Sequence, residues 1–89
     1  MVAMIRVKCV GHIRTSLGAE TVELEDEEIG SVDLMGRLRE MASGDPKLGF
    51  TKFNTLIIVN GGYAFTAAAE DRKLKDGDEV LLLPFSHGG

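Results

Sequence analysis

Asp76-Gly77-Asp78-Glu79-Val80-Leu81-Leu82-Leu83-Pro84 reads as a turn, a strand and a stop. Asp-Gly-Asp is turn chemistry, because glycine supplies a positive φ and the aspartates bond to nearby backbone. The run Glu79 to Leu83 is apolar and β-prone. Pro84 then ends the ladder, having no amide hydrogen to donate. Working back, Leu56, Ile57, Ile58 and Val59 form a short continuous apolar run, the pattern of a central strand covered on both sides. Asn60-Gly61-Gly62 follows and tolerates positive φ, so the chain reverses into Tyr63, Ala64 and Phe65 as a hairpin.

Further back the period changes. Leu34, Met35, Leu38, Met41 and Ala42 fall on one stripe of a helix of about three turns. Ser31 is placed as its N-cap, Asp33 suits the positive end of the dipole, and Gly44 with Asp45-Pro46 supplies a stop. Lys47 to Asn54 has no period and reads as a loop, with Leu48, Phe50 and Phe53 placed to cover an edge of the core. At the start of the chain, Ile5, Val7 and Cys9 alternate with Met4, Arg6 and Lys8 as a half-buried strand. After Gly11, His12 and a polar link through Gly18, Thr21 to Glu25 returns as a second strand with Val22 and Leu24 on one face.

The order strand, strand, helix, strand, short strand, strand predicts an α+β roll, a mixed sheet with one main helix packed across it. At 89 residues the chain builds one core, and 44% hydrophobic with 27% charged residues is the composition of a globular domain. The expected organisation is a domain over 1–84 and a projecting tail over 85–89.

The formal charge is −4, from 14 acidic and 10 basic side chains, with no basic stripe, which argues against nucleic acid as a partner. Glu23, Glu25, Asp26, Glu27 and Glu28 form an acidic block that repels phosphates and anionic lipid. It reads as a solvated loop, or else as an attraction for a basic protein. Cys9 is the single cysteine, which excludes an internal disulfide and fits a reducing cytoplasm. Its place in an alternating strand reads as a buried structural thiol. The stretch Met1 to Val10, interrupted by Arg6 and Lys8, is too short for a signal peptide or a membrane span, so a cytoplasmic protein is expected. One Cys and two His assemble no metal site, and no nucleophile triad is visible.

Beyond Pro84 stand Phe85-Ser86-His87-Gly88-Gly89. Two glycines remove every side chain around the terminal carboxylate, so a partner's narrow tunnel can close on the backbone. A carboxylate is a poor electrophile and needs a leaving group, for example by adenylation with ATP. The chain has no phosphate loop ending in Gly-Lys-Ser/Thr, so activation falls to a second protein.

These residues resemble the MoaD/ThiS group of ubiquitin-like, β-grasp sulfur carriers, and within it the small subunit of molybdopterin synthase. The resemblance spans nearly the whole chain. It rests on Asn60-Gly61 after an apolar strand, on Leu74 to Val80 leading into the last strand, and on Pro84 to Gly89. It departs in the tail, where Phe85 and Ser86 take the places of a second proline and a small aliphatic residue.

The resemblance implies that Gly89 is adenylated by an E1-like (MoeB-like) enzyme and converted to a thiocarboxylate. That group then donates sulfur inside a large synthase subunit (MoaE-like) to a pterin precursor of the molybdenum or tungsten cofactor. It implies further that Gly88 threads the tunnel with Gly89, that Phe85, Ser86 and His87 line its entrance, and that the carrier is no enzyme. The carrier holds no stable cofactor, and its partner uses the ATP. The alternatives are a thiazole-type carrier, a ubiquitin-like modifier joined through Gly89 to target-protein lysines, and a plain binding module. His87 and His12 read as surface contacts, and Tyr63, Phe65 and Leu56 as core rather than a docking patch.

Overall fold

Alternation in the first strand is realised residue by residue in the computed structural model, which describes residues 2–42, 51 and 53–85. Strand β1 (Ile5–Cys9) buries Ile5, Val7 and Cys9 completely and turns Arg6 and Lys8 outward. Strand β2 (Thr21–Leu24) pairs with it antiparallel, Val7 opposite Val22, and buries Val22 and Leu24. Strand β4 (Thr55–Val59) and strand β5 (Ala64–Phe65) form the expected hairpin, with Ile57 opposite Phe65. The four-residue connection opens with Asn60 at φ 51° and Gly61 at φ 71°, a tight turn closed by the Gly62 N–H donating to the Val59 carbonyl at 2.9 Å.

Strand β7 (Glu79–Pro84) lies at the centre of the five-stranded sheet, whose order is β2-β1-β7-β4-β5. It runs parallel to β1, Val7 beside Val80 and Cys9 beside Leu82, and antiparallel to β4, Ile57 beside Leu82. The sheet is therefore mixed, and one face is closed. Val80 and Leu82 join Ile5, Val7 and Ile57 in a core with Leu34, Met35 and Leu38 of helix α2 (Ser31–Met41). On the other face Leu56, Ile58, Leu81 and Leu83 are only half-buried. β4 is thus interior in the sheet but covered on one side, and the central place belongs to β7.

The structure corrects several expectations. Residues 11–17 are helix α1 (Gly11–Leu17), not a polar link, and His12 sits on it. Ile13 is fully buried and Gly18, at φ 69°, closes the helix with its N–H directed to the carbonyls of Arg14 and Thr15. The first two strands are therefore joined through a helix rather than a tight turn. A second sheet pairs β3 (Glu28–Gly30) with β6 (Lys73–Lys75), Ile29 opposite Leu74. Strands of three residues are too short to register as a period, and Leu74, flanked by two lysines, is fully buried.

Ser31 is not the N-cap of α2. Gly30 holds that position, and the cap arrives from 39 residues away: the Asp71 carboxylate accepts the Val32 N–H at 3.1 Å. A Cβ at residue 30 would lie 2.8 Å from the same carboxylate oxygen, so glycine is what admits the cap. Ser31, fully buried, donates its Oγ–H to the Glu70 carbonyl at 3.0 Å and accepts the Arg72 N–H at 2.9 Å. Asp33 does lie in the first turn.

At the other end α2 stops at Met41, which is 50% exposed and outside the core stripe. Gly44, Asp45, Pro46, Leu48 and Phe50 lie outside the described residues, and Phe53, expected to cover the core, is 60% exposed.

The acidic block is not one solvated loop either. Glu23 lies in β2 and Glu28 in β3, and three of its carboxylates face cations: Glu23 with Arg6 at 3.7 Å, Asp26 with Arg37 at 2.6 Å, and Glu28 with Lys73 at 3.3 Å. Among the described residues no helix is long and apolar enough to cross a membrane.

Leu34→Ala or Leu38→Ala should lower the free energy of chemical unfolding by about 2–5 kcal/mol, since each side chain is fully buried between helix and sheet. Asp71→Ala should cost about 0.5–2 kcal/mol by removing the cap on Val32. A neutral result in the same denaturation series would mean that the distant cap contributes nothing to α2.

Candidate functional site

The root of the tail is built by three elements. β1 ends at Cys9, beside Leu82, because the chain turns away at Gly11 into α1. Gly11, at φ 62°, therefore lies against Pro84, where a Cβ would approach the ring Cγ to 2.9 Å. On the opposite edge Thr55 of β4 is the partner of Pro84, and one residue further the Phe85 N–H donates to the Asn54 carbonyl at 2.9 Å. Pro84 itself is still in the ladder, so pairing passes beyond the proline where a stop was expected.

Asn54 is held by its own turn. Its Oδ1 accepts the Thr51 N–H at 2.7 Å and the hydroxyl of the fully buried Thr55 at 3.1 Å. Of the five predicted tail residues, Phe85 is thus half-buried and tied to the sheet. Ser86, His87, Gly88 and Gly89 lie outside the described residues.

At the other end of β7 a network of side chains aligns the strands that lead to this root. Asp76 accepts the Met4 N–H at 2.7 Å, and the Gly77 N–H, in a turn with Gly77 at φ 91°, donates to the Met4 carbonyl at 2.8 Å. Asp78 accepts the Lys75 N–H at 2.8 Å and the Asn60 side-chain N–H at 3.0 Å, while Asn60 Oδ1 accepts the Glu79 N–H at 2.9 Å. The motif residues of the two turns are therefore joined to each other and to the start of β1.

The half-buried sheet face offers a surface. Leu56 and Ile58 of β4 stand beside Leu83 and Leu81 of β7, Arg6 and Lys8 lie on the neighbouring β1, and a groove lined by Arg6, Lys8, Ile58, Asn60, Glu79 and Leu81 opens there. Arg6 stands 3.8 Å from Glu79.

The expected core trio divides. Phe65 is buried and Leu56 half-buried, but Tyr63 is 58% exposed. Tyr63 donates its hydroxyl to Glu70 at 2.7 Å, which pushes the phenol pKa up, and the Arg72 guanidinium stacks 5.1 Å from the Tyr63 ring centre and 5.7 Å from that of Phe65. Tyr63 precedes β5 in the hairpin turn, whereas Phe65 lies within the strand opposite the fully buried Ile57, and that placement divides the pair.

Cys9 is buried against the core, and burial pushes its thiol up to about 11. It is a structural thiol, as its strand position implied. No cluster of three or more metal-ligating side chains exists among the described residues.

Comparison with protein-family models and with curated proteins yields no match. Solved structures do match. The small archaeal modifier protein 1 (SAMP1) of Methanosarcina acetivorans is 23% identical with a TM-score of 0.64, over 100% of this chain and 99% of that one. A candidate molybdopterin converting factor, subunit 1, from Pyrococcus furiosus is 26% identical with a TM-score of 0.67, over 94% of this chain and 99% of that one.

This chain has the ubiquitin-like β-grasp fold. SAMP1 of Haloferax volcanii, 18% identical at a TM-score of 0.65 over 97% of this chain, shares it. The likeness to MoaD-like proteins drawn from the turn motifs is thus met again in three dimensions, over almost the full length of both chains. In this β-grasp domain the motif residues Asn60, Asp76 and Asp78 act as strand-aligning hydrogen-bond partners. Sequence reading missed Asn54 and Gly11 at the tail root. The signals were an Asn two residues after Thr51-Lys52 and a glycine two residues after a strand, and neither is specific.

The native thiol of Cys9 should be inert to a disulfide reagent at pH 8 and should react on unfolding. Its folded pKa lies above the ordinary value of 9.0, so its contribution to stability is full below pH 9 and is lost as pH rises towards 11. Denaturation midpoints measured between pH 8 and 11 should fall more steeply for the native sequence than for Cys9→Ala.

Proposed function

We propose that this chain is a sulfur carrier whose working group is the carboxylate of Gly89. The observation that carries the reading is the β-grasp sheet whose central strand runs into Pro84 and Phe85 and on towards Gly88-Gly89. A carboxylate oxygen of Gly89 attacks the α-phosphorus of ATP on an E1-like adenylating enzyme, and pyrophosphate leaves. A sulfur nucleophile then attacks the acyl-adenylate carbon, AMP leaves with the bonding pair, and the product is a thiocarboxylate. Gly88 and Gly89 let the partner enclose the backbone, and Phe85, Ser86 and His87 contact the entrance of its channel. The half-buried sheet face, with apolar Leu56, Ile58, Leu81 and Leu83, supports contact with a protein partner.

Molybdopterin synthesis is the destination of the sulfur in this reading, with a MoaE-like subunit as acceptor. Its support is the converting factor of Pyrococcus furiosus, together with the Asp-Gly-Asp-Glu-Val motif. A second reading, protein modification through an isopeptide bond from Gly89 to a target lysine, is favoured by the likeness to two archaeal SAMP1 proteins. Both share the chemistry up to the adenylate. They part at the nucleophile, sulfur in one and an amine in the other.

Incubation with ATP, sulfide and an E1-like enzyme from the same organism should give an intact mass raised by the exchange of one oxygen for sulfur. Deletion of Gly89 should abolish that gain and leave thermal unfolding unchanged. Mass additions on lysines of other proteins, without the sulfur exchange, would replace the carrier with the modifier. An unchanged mass beside an enzyme shown to be active would overturn both.

A further inference from the structure

β2 is the longer free edge of the five-stranded sheet. The other edge, β5, has two residues and carries the Arg72 guanidinium over Phe65. Beside β2 the Cys9 N–H donates to the Glu20 carbonyl at 2.8 Å, and the register that sets Val7 opposite Val22 continues that alternation. Glu20, Val22 and Leu24 therefore turn their backbone groups toward β1, and Thr21 and Glu23 turn theirs away from it. Both residues are exposed, and among the described residues nothing pairs with those outward N–H and C=O groups. Of the devices that blunt an edge, β2 has neither proline, lysine nor bulge. Its one charged side chain, Glu23, is drawn inward to Arg6 at 3.7 Å.

We infer that this edge is a pairing surface for a second copy of the chain, β2 against β2, antiparallel about a two-fold axis through Val22. The outward groups permit few registers. With Glu23 opposite the partner's Glu23, like charges meet; with Thr21 opposite the partner's Thr21, Glu23 passes beyond the end of the partner's strand. With Val22 on the axis, each Thr21 stands opposite the partner's Glu23, and each of those pairs exchanges both its N–H···O bonds. Two β-branched valines then meet across the axis on one face. On the other, the Thr21 hydroxyl lies beside the carboxylate of the partner's Glu23.

Charge supports the same register. Lys8 is the neighbour of Thr21 on the open face, and among the described residues it forms no ion pair. In the paired edge a row runs Lys8, Thr21, the partner's Glu23 and the partner's Arg6, with about 10 Å of backbone spacing between the first and the third. Lysine and glutamate side chains together bridge that gap over the short threonine. The partner's Glu23 is then flanked by two cations. The formal charge of −4 on each copy opposes the approach, so the dimer is a weak one. Both open faces lie on one side of the joined sheet, and Leu56, Ile58, Leu81 and Leu83 of each copy stay uncovered, so the pairing is independent of the carrier reading.

Sedimentation equilibrium and amide exchange on the full chain, from micromolar to millimolar protein, test the pairing. The mean mass should rise towards twice that of the chain, and exchange at Thr21 and Glu23 should slow with it. Thr21→Pro removes one outward N–H and leaves every β1–β2 bond in place, and it should raise the dissociation constant by about tenfold or more. Should that variant not fold, charge reversal decides: Lys8→Glu and Glu23→Lys should each weaken the dimer, and the two together should recover it in part. A chain that stays monomeric at millimolar concentration overturns the inference. So does a dimer in which Thr21 and Glu23 exchange at their monomer rates, or one indifferent to these substitutions. Protection of the two amides in a monomeric chain only when an alternating lysine–valine peptide is added would assign the edge to a basic extended segment instead of a second copy.

Discussion

Everything in this protein is arranged around the double pairing of β7. A strand hydrogen-bonded on both edges leaves few backbone groups to be satisfied elsewhere, and its alternate side chains Val80 and Leu82 sit at the middle of the core. The parallel neighbour β1 is the most distant strand in sequence, so this contact closes the longest loop the described chain makes. Loop-closure entropy rises only slowly with length, and the apolar surface buried by Ile5, Val7 and Cys9 against β7 outweighs it. The Asp76-Gly77-Asp78 turn secures the register, gripping Met4 on one side and Asn60 on the other before the strand begins.

From that strand follows the division of the sheet into two faces. One is sealed by α2 and α1, with Leu34, Leu38 and Ile13 fully buried, and the other stays half-open. The segment 66–72 completes the seal in an indirect way. It brings Asp71 to the first turn of α2 and wraps Glu70 and Arg72 around the buried hydroxyl of Ser31. Helix and crossover are thus fastened at one point. A serine that is fully buried has its bonding capacity met by two backbone groups, which is the condition for keeping a hydroxyl in a core.

The same strand links fold to function. On the proposed carrier reading the reactive group follows the end of the central strand, so that end must be held. Here the last described bond is the Phe85 N–H on the Asn54 carbonyl, and Gly11 leaves room for the Pro84 ring beside it. In that proposed reading the chemistry at Gly89 requires nothing from the domain interior. Cys9 shows this from the opposite side, since the single thiol is enclosed in the core and raised in pKa, where it cannot act as a sulfur nucleophile.

Alternation at residues 5–9 and 21–24, the apolar run at 56–59, the Asn60-Gly61 and Asp76-Gly77-Asp78 turns and the Leu34, Met35, Leu38 stripe determine this protein's main strands, helix and core, because local period and turn stereochemistry are properties of adjacent residues. The glycine-ended tail and the turn motifs likewise pointed to the family likeness. Tertiary structure decided the rest: that Gly11–Leu17 is helical, that Glu28–Gly30 pairs with Lys73–Lys75, that Asp71 rather than Ser31 caps α2, and that Asn54 holds Phe85. Each of these depends on a partner far away in the chain or on an element too short to repeat a period. The hydrogen bonds and close contacts that settle them exist only once the central strand has brought those partners together.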